Sequence, residues 1–184
     1  VYRGRHRSAT IAERQGGDVA IKVMHAQYAR NERFRARFER EASLCLKLDH
    51  PNIVKAHDLV VDGGLLALVM ELVEGRPLSD LIGEHVGPVS WDGARWAFEQ
   101  LFDAVEYAHK QGVIHRDLKP ENLMVTPVGG LKILDFGIAK QMGGSGVTAT
   151  GAVMGTIDYM APEQHTDAKN VDERADVYAL GMVF

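Results

Sequence analysis

Several things are scarce or missing in this 184-residue chain, and each closes off a class of protein. It has one cysteine, Cys45, so no internal disulfide can form, and the composition suits a reducing compartment such as the cytoplasm. No apolar run approaches the roughly 18 residues of a membrane span. No leader pattern is visible, because Val1-Tyr2-Arg3-Gly4-Arg5 already reads as the interior of a domain. Internal repeats and heptad arrays are absent. An excess of basic charge is absent too: 21 Lys and Arg stand against 25 Asp and Glu, for a formal net charge of −4. That balance argues against a nucleic-acid binder. What remains, 46% hydrophobic and 25% charged, is an ordinary globular composition with room for one domain or two small lobes.

The most informative stretch is His115-Arg116-Asp117-Leu118-Lys119-Pro120-Glu121-Asn122. Val113-Ile114 precedes it and Leu123-Met124-Val125 follows, so the spacing predicts a polar loop between two short buried strands. Pro120 stiffens the middle of the loop. Asp117 and Asn122 suit a job in two parts, a carboxylate taking a proton from a hydroxyl and a carboxamide oxygen holding a divalent cation. A second acid follows a predicted strand, Leu131 to Leu134, in Asp135-Phe136-Gly137.

Upstream, Val1 to Arg5 reads as the tail of a strand and Val19 to Met24 as the next. Gly16-Gly17-Asp18 supplies a turn signal, so the two should form a hairpin. Strand alternation puts Ala20 and Lys22 on one face. Lys22 is either a surface lysine at a strand edge or a residue placed for an anion. Asn31 to Leu48 has helical period, with Phe34, Phe38, Glu41, Cys45 and Leu48 on one stripe. Glu41 inside that stripe calls for a cation, with Lys22 the candidate, unless the stripe is frayed and Glu41 is solvated. Asp49-His50-Pro51-Asn52 stops the helix. Ile53 to Val61 and Leu65 to Leu72 read as strands, making a lobe of five strands and one helix. Glu74-Gly75-Arg76-Pro77 breaks the pattern, giving lobes at 1–72 and 73–184. Leu78 to Glu84 reads as a short helix. Ser90 caps a long one whose core face is Trp91, Ala94, Ala97, Phe98, Leu101, Ala104, Val105 and Ala108. The stretch from Asp135 to Glu163 is long and irregular, with Gly143-Gly144-Ser145-Gly146 inside it. Arg174 to Phe184 begins another apolar helix.

H-R-D-L-x-x-x-N, then D-F-G, with Val19-Ala20-Ile21-Lys22 upstream and Ala161-Pro162-Glu163 downstream, resembles the eukaryotic-type (Hanks-type) serine/threonine protein kinase family. Bacterial members are especially similar in style around Gly155-Thr156-Ile157-Asp158-Tyr159. The resemblance implies an α+β bilobal protein-kinase-like fold, with a small antiparallel lobe and a larger, mainly helical one. It also implies that the glycine-rich loop precedes Val1 and that late helices follow Phe184.

It further implies site roles. Asp117, Lys119 and Asn122 are catalytic, and Asn122 and Asp135 hold Mg²⁺, with Mn²⁺ an alternative. Lys22 reaches the ATP phosphates, paired with Glu41. Val1, Ala20 and Met124 sandwich adenine, Glu71 and Val73 offer backbone groups to it, and Met70 lies behind it. Pro77 stands where the family often has a polar ribose contact, with Asp80 a substitute. Asp176 braces the catalytic loop, Thr156 links Asp117 and Lys119, and Glu163 closes the A-P-E motif. His115 and Phe136 are packing residues. Arg116, Arg37 and Lys140 form a cationic site for a phosphate on Thr148 or Thr150, unless those threonines are solvated loop residues. Protein substrates are implied, with a dimer as the arrangement for phosphorylation in trans, and with neither nucleic acid nor a membrane segment. An aminoglycoside-type phosphotransferase would lack D-F-G and A-P-E. A pseudokinase binding module would lose part of the set Lys22, Glu41, Asp117, Asn122 and Asp135.

Overall fold

The turn at Gly16-Gly17 does close a hairpin. β1 (Tyr2–Arg5) pairs antiparallel with β2 (Asp18–Val23) in the register Tyr2 to Ile21 and Arg5 to Asp18. Both glycines have positive φ, 82° and 105°, which side chains disfavour. The structure is a computed structural model that describes residues 1–24, 31–62, 64–84, 90–136, 158–166 and 171–183. These form two compact units. One comprises Val1–His50 and Val54–Glu74, and the other Pro51–Ile53 and Gly75–Phe184.

The first unit is built on a four-stranded antiparallel sheet in the order β1-β2-β4-β3, with β3 at Ala56–Asp62 and β4 at Leu65–Glu71. Its strand count among the described residues is thus four, one fewer than expected. β3 begins at Ala56 rather than Ile53, and its pairing with β4 slips at His57, between Ala56 and Asp58. β4 is central, and Leu66, Ala67, Leu68 and Met70 on it are buried. The connection between β1 and β2 holds a short helix, α1 (Ala9–Arg14), that the polar sequence did not announce. α2 (Glu32–Cys45) starts where Asn31 caps it, its side-chain oxygen accepting from the N–H groups of Arg33 and Phe34. Phe38, Ala42 and Cys45 are its buried positions, at helical spacing.

The second unit carries a three-stranded sheet in the order β5-β6-β7: Arg76–Pro77, Leu123–Val125 and Leu131–Ile133. α3 (Leu78–Glu84) follows β5. α4 (Trp91–Lys110) is capped by Ser90, whose hydroxyl oxygen accepts from the Gly93 N–H at 3.3 Å. Ala97, Leu101, Ala104, Val105 and Ala108 are its buried face, and full burial of Leu101 contributes about 1.5–3 kcal/mol. Trp91, expected on that face, is 73% exposed, at the first residue of the helix. Val113 and Ile114 are not a strand. Gly112 has φ 73° and the Val113 N–H closes back on the Ala108 carbonyl, so the chain there continues a helix cap. A 3-10 turn (Pro120–Asn122), α5 (Pro162–Thr166) and α6 (Arg174–Val183) complete the described elements. No helix among the described residues is long and apolar enough to cross a membrane.

Gly75 opens the second unit because nothing larger fits. A Cβ there would stand 2.4 Å from the Val125 carbonyl oxygen, a backbone atom that β6 holds in place. Gly75→Ala is therefore expected to cost about 1–3 kcal/mol, the range for forcing volume into a packed site. Urea melts of the two proteins side by side check this, and coincident curves would show that β5 and β6 can separate freely.

Candidate active site

The site grows from the β6–β7 hairpin. Its antiparallel register sets Leu123 opposite Ile133 and Val125 opposite Leu131. One residue outward, the Leu134 N–H donates to the Asn122 carbonyl at 2.8 Å. Asn122, just before β6, and Asp135, just after β7, therefore leave the sheet at the same end. Leu123, Leu131 and Ile133 are fully buried and anchor the hairpin.

The Asn122 side chain then turns onto Asp117. Its Nδ2 donates to the Asp117 carbonyl at 2.8 Å and to Asp117 Oδ2 at 3.2 Å. With the amide nitrogen spent inward, the carboxamide oxygen is the end left for a hard cation. Lys119 precedes the 3-10 turn, and its carbonyl accepts from the Asn122 N–H at 2.9 Å.

His115 ties the two acids' loops together. It is fully buried, and the Asp117 N–H donates to its Nδ1 at 3.2 Å while its Nε2 donates to the Leu134 carbonyl at 2.8 Å. Those partners require the neutral Nε2–H tautomer. Its ring also meets Phe136 edge-on, with centroids 4.7 Å apart. His115 is thus more than the packing residue expected from sequence. The peptide before Asp117 and the peptide before Asp135 both hang on its ring.

Asp176, on the first turn of α6, is 1% exposed. Its Oδ2 accepts from the His115 N–H at 2.8 Å and its Oδ1 from the Arg116 N–H at 2.7 Å. His109, on the last turn of α4, adds a third contact, with its Nε2 2.8 Å from Oδ2. Arg116 has φ 64°, a left-handed conformation that costs a residue with a Cβ about 1–2 kcal/mol. Its Nη2 donates to the Val171 carbonyl at 3.1 Å. Gln164, on α5, donates from Nε2 to the Arg116 carbonyl at 3.0 Å, and its Oε1 accepts from the Ala161 N–H at 3.0 Å. The sequence did not point to His109 or Gln164. Both act through shape-dependent contacts 67 and 48 residues away, with no motif to flag them. Close by, burial pushes the Tyr159 hydroxyl pKa up, and the Glu121 and Asp158 carboxylates add to the shift. Glu163 is exposed on α5.

In the first unit, Ala20 lies opposite Met70 and Lys22 opposite Leu68 on adjacent strands, and Met70 is buried. Val1 is 79% exposed ahead of β1. Glu71 ends β4, its N–H donating to the Lys55 carbonyl at 2.8 Å and its Oε2 accepting from the Lys55 N–H at 3.2 Å. Val73 follows, half-buried. Glu41 is mostly buried on α2 and accepts from Arg37 Nε at 3.4 Å. Arg37, expected to join a cationic site for a phosphate, has an acidic partner a helical turn away. In the second unit, Met124 lies on β6 between Pro77 and Lys132, and Asp80 is exposed on α3. Lys140, Thr148, Thr150 and Thr156 lie outside the described residues.

Within the second unit, two half-buried acids, Asp117 and Asp135, thus flank Asn122, and comparison with known proteins gives the family. The chain belongs to the protein kinase domain family, which matches residues 6–184. It is similar to the serine/threonine-protein kinase PrkC of Bacillus subtilis, 39% identical over 166 residues that cover 90% of this chain and 25% of PrkC. PknA of Mycobacterium tuberculosis, another serine/threonine-protein kinase, is 40% identical over 178 residues, covering 94% of this chain and 41% of PknA. Among solved structures, the Mycobacterium tuberculosis PknI kinase domain is similar, with TM-score 0.71 and 32% identity, covering 91% of this chain and 62% of that one. The chain thus spans from a quarter to two-fifths of these curated relatives and about three-fifths of the solved domain. The fold is the α+β protein-kinase type, as the motifs implied. Members of this family use ATP and a divalent metal.

The Asp176 contacts yield a direct test. Asp176→Ala leaves two backbone N–H groups without acceptors, each at about 1–3 kcal/mol. Asp176→Asn keeps one acceptor oxygen and is expected to fall between the alanine variant and wild type in urea denaturation. Three coincident melts would mean that the carboxylate does not hold the loop.

Proposed function

We propose that the protein carrying this domain transfers the γ-phosphoryl group of ATP to serine or threonine hydroxyls of proteins. The observation that carries the reading is the convergence of Asp117, Asn122 and Asp135 through the Asn122 amide and the Leu134–Asn122 backbone bond. The donor set fits the cofactor. Among the described residues no group of three or more His, Cys, Asp or Glu side chains could hold a metal. A cation here would rest on Asn122, Asp135, phosphate oxygens and water, and Mg²⁺ suits such a partial protein shell, with Mn²⁺ as a substitute. ATP would supply the transferable group, and the metal bound with it would offset the negative charge of the phosphates.

The chain's own residues do the rest. Asp117 orients the acceptor hydroxyl and takes its proton, and the Asn122 amide holds the carboxylate for that task. Lys119, two residues on, neutralises charge developing on the phosphoryl oxygens. Lys22 positions the phosphates, with Glu41 fixing its ammonium. Val1, Ala20 and Met124 enclose adenine, Glu71 and Val73 supply its backbone partners, and Asp80 stands in for the ribose contact that Pro77 cannot make. Thr156 couples Asp117 to Lys119. The serine/threonine-protein kinase names of the relatives support the hydroxyl class. Cytoplasmic placement of this part, and a dimer for phosphorylation in trans, belong to the same proposal.

Asp117→Asn is expected to lower kcat by about 10²–10⁴-fold, the usual contribution of a positioned base. Lys22→Met should also abolish measurable transfer. Phosphopeptide formation from ATP and a serine/threonine peptide by the full-length protein measures both, and an unchanged rate in either variant would sink the assignment.

Control is proposed at Thr148 and Thr150. Phosphate on either supplies close to two negative charges and strong acceptors for Arg116 and Lys140. Arg37 is a weaker participant, given its Glu41 partner. Mass spectrometry of active protein should find phosphate on one or both threonines. The Thr148→Ala/Thr150→Ala protein should lose activity in step, whereas full activity in that double variant would remove the switch.

A further inference from the structure

Arg116 and Asp117 share one peptide group, which is planar, so fixing its carbonyl and its N–H fixes the direction in which Asp117 leaves the backbone. The N–H end donates to His115 Nδ1 at 3.2 Å. The carbonyl end accepts from Gln164 Nε2 at 3.0 Å. The preceding peptide is held through the Arg116 N–H by Asp176, and Arg116 itself sits at φ 64°, a conformation that would relax without such ties. Gln164 spends its other end on the Ala161 N–H, so one carboxamide spans from the Ala161-Pro162-Glu163 segment to the loop bearing the base. A primary amide is the side chain that both donates and accepts at that reach. The helical turn carrying Gln164 does not depend on this side chain, because the Gln164 N–H already donates to the Ala161 carbonyl at 2.9 Å.

We infer that Gln164 is a positioning residue for Asp117, transmitting the placement of the Ala161–Glu163 segment to the catalytic base through the Arg116 carbonyl. This rests on the kinase reading. The segment lies downstream of Thr148 and Thr150 in the sequence, so the Gln164 hydrogen bond links that part of the chain to the loop bearing the base.

Two variants separate the carboxamide's two ends. Gln164→Glu keeps an acceptor for the Ala161 N–H but sets an oxygen against the Arg116 carbonyl. Gln164→Met keeps the length and loses both bonds. In the full-length protein, with Mg²⁺, ATP and a serine/threonine peptide chosen from an array, both variants are expected to lose kcat about ten- to hundredfold, with KM for ATP within about twofold of wild type. Amide hydrogen exchange supplies the second readout. Asp117 should exchange faster in both variants, while Ala161 should lose protection in Gln164→Met and keep it in Gln164→Glu. Wild-type kcat in Gln164→Glu, or unchanged Asp117 exchange in both variants, overturns the inference. So does a kcat loss matched by a fall in melting temperature, since that marks a merely structural residue. Absence of phosphotransfer by the wild-type protein would instead overturn the kinase reading, and Asp117 exchange would still decide the role of Gln164.

Discussion

The Asp176 carboxylate is 1% exposed, a place where a bare charge would be strongly unfavourable. It is stable there because two backbone N–H groups and an imidazole meet it. The dependence runs both ways. The His115 N–H is itself buried, and without the carboxylate it would lack an acceptor. The loop from His115 to Lys119 has no strand or helix of its own before Pro120, so no ladder can satisfy its backbone. A side chain from α6 does that work instead, and α4 contributes His109 to hold the side chain. The loop's shape therefore depends on side chains from two helices as well as on its own His115 and Asn122.

The β6–β7 hairpin adds the second constraint. Its strands are only three residues long, too short to be stable alone. Burial of Leu123, Leu131 and Ile133 keeps them paired, and the Gln100 side chain of α4 reaches in to accept the Leu131 N–H at 2.9 Å. Asn52 also joins, donating to the Leu131 carbonyl at 2.7 Å, and the Ile133 N–H donates to the Asn52 carbonyl. That explains why Pro51–Ile53 belongs with the second unit although the chain on both sides belongs to the first. Register then decides which loop residues leave the sheet together, since a one-residue slip would break the Leu134–Asn122 bond that brings Asn122 and Asp135 to one end.

Much of this was legible in the sequence because the signals were local. Asn31 and Ser90 cap their helices, Gly16-Gly17 turns its hairpin, and the H-R-D and D-F-G motifs mark the loops. The readings that failed depended on information a window does not hold. Val113-Ile114 has an apolar strand's composition but follows a helix cap at Gly112. Trp91 fits the helical period of its neighbours yet is exposed at the start of α4. Ala9 to Arg14 lacks an apolar stripe, and its helix buries only Ala12. Gln164 and His109 are ordinary polar residues in sequence. Their importance comes from backbone groups far along the chain, which pattern alone cannot pair.

Backbone strain points to the same place from an independent direction. Among the described residues, the non-glycine positions with positive φ are Arg116 at 64° and Asp135 at 53°. Aspartate tolerates this region better than most residues, whereas arginine has no such excuse. Each sits beside a peptide whose polar end is taken by the same buried imidazole. Strain of this kind persists only where surrounding contacts over-determine the conformation. Here they do, through Asp176, His115 and Gln164 on one loop and through His115 and Asn122 on the other. Relaxing either residue to an ordinary φ would redirect an acid, Asp117 or Asp135. The fold therefore holds two unfavourable dihedrals beside two carboxylates, and a single histidine ring bonds to the peptide next to each.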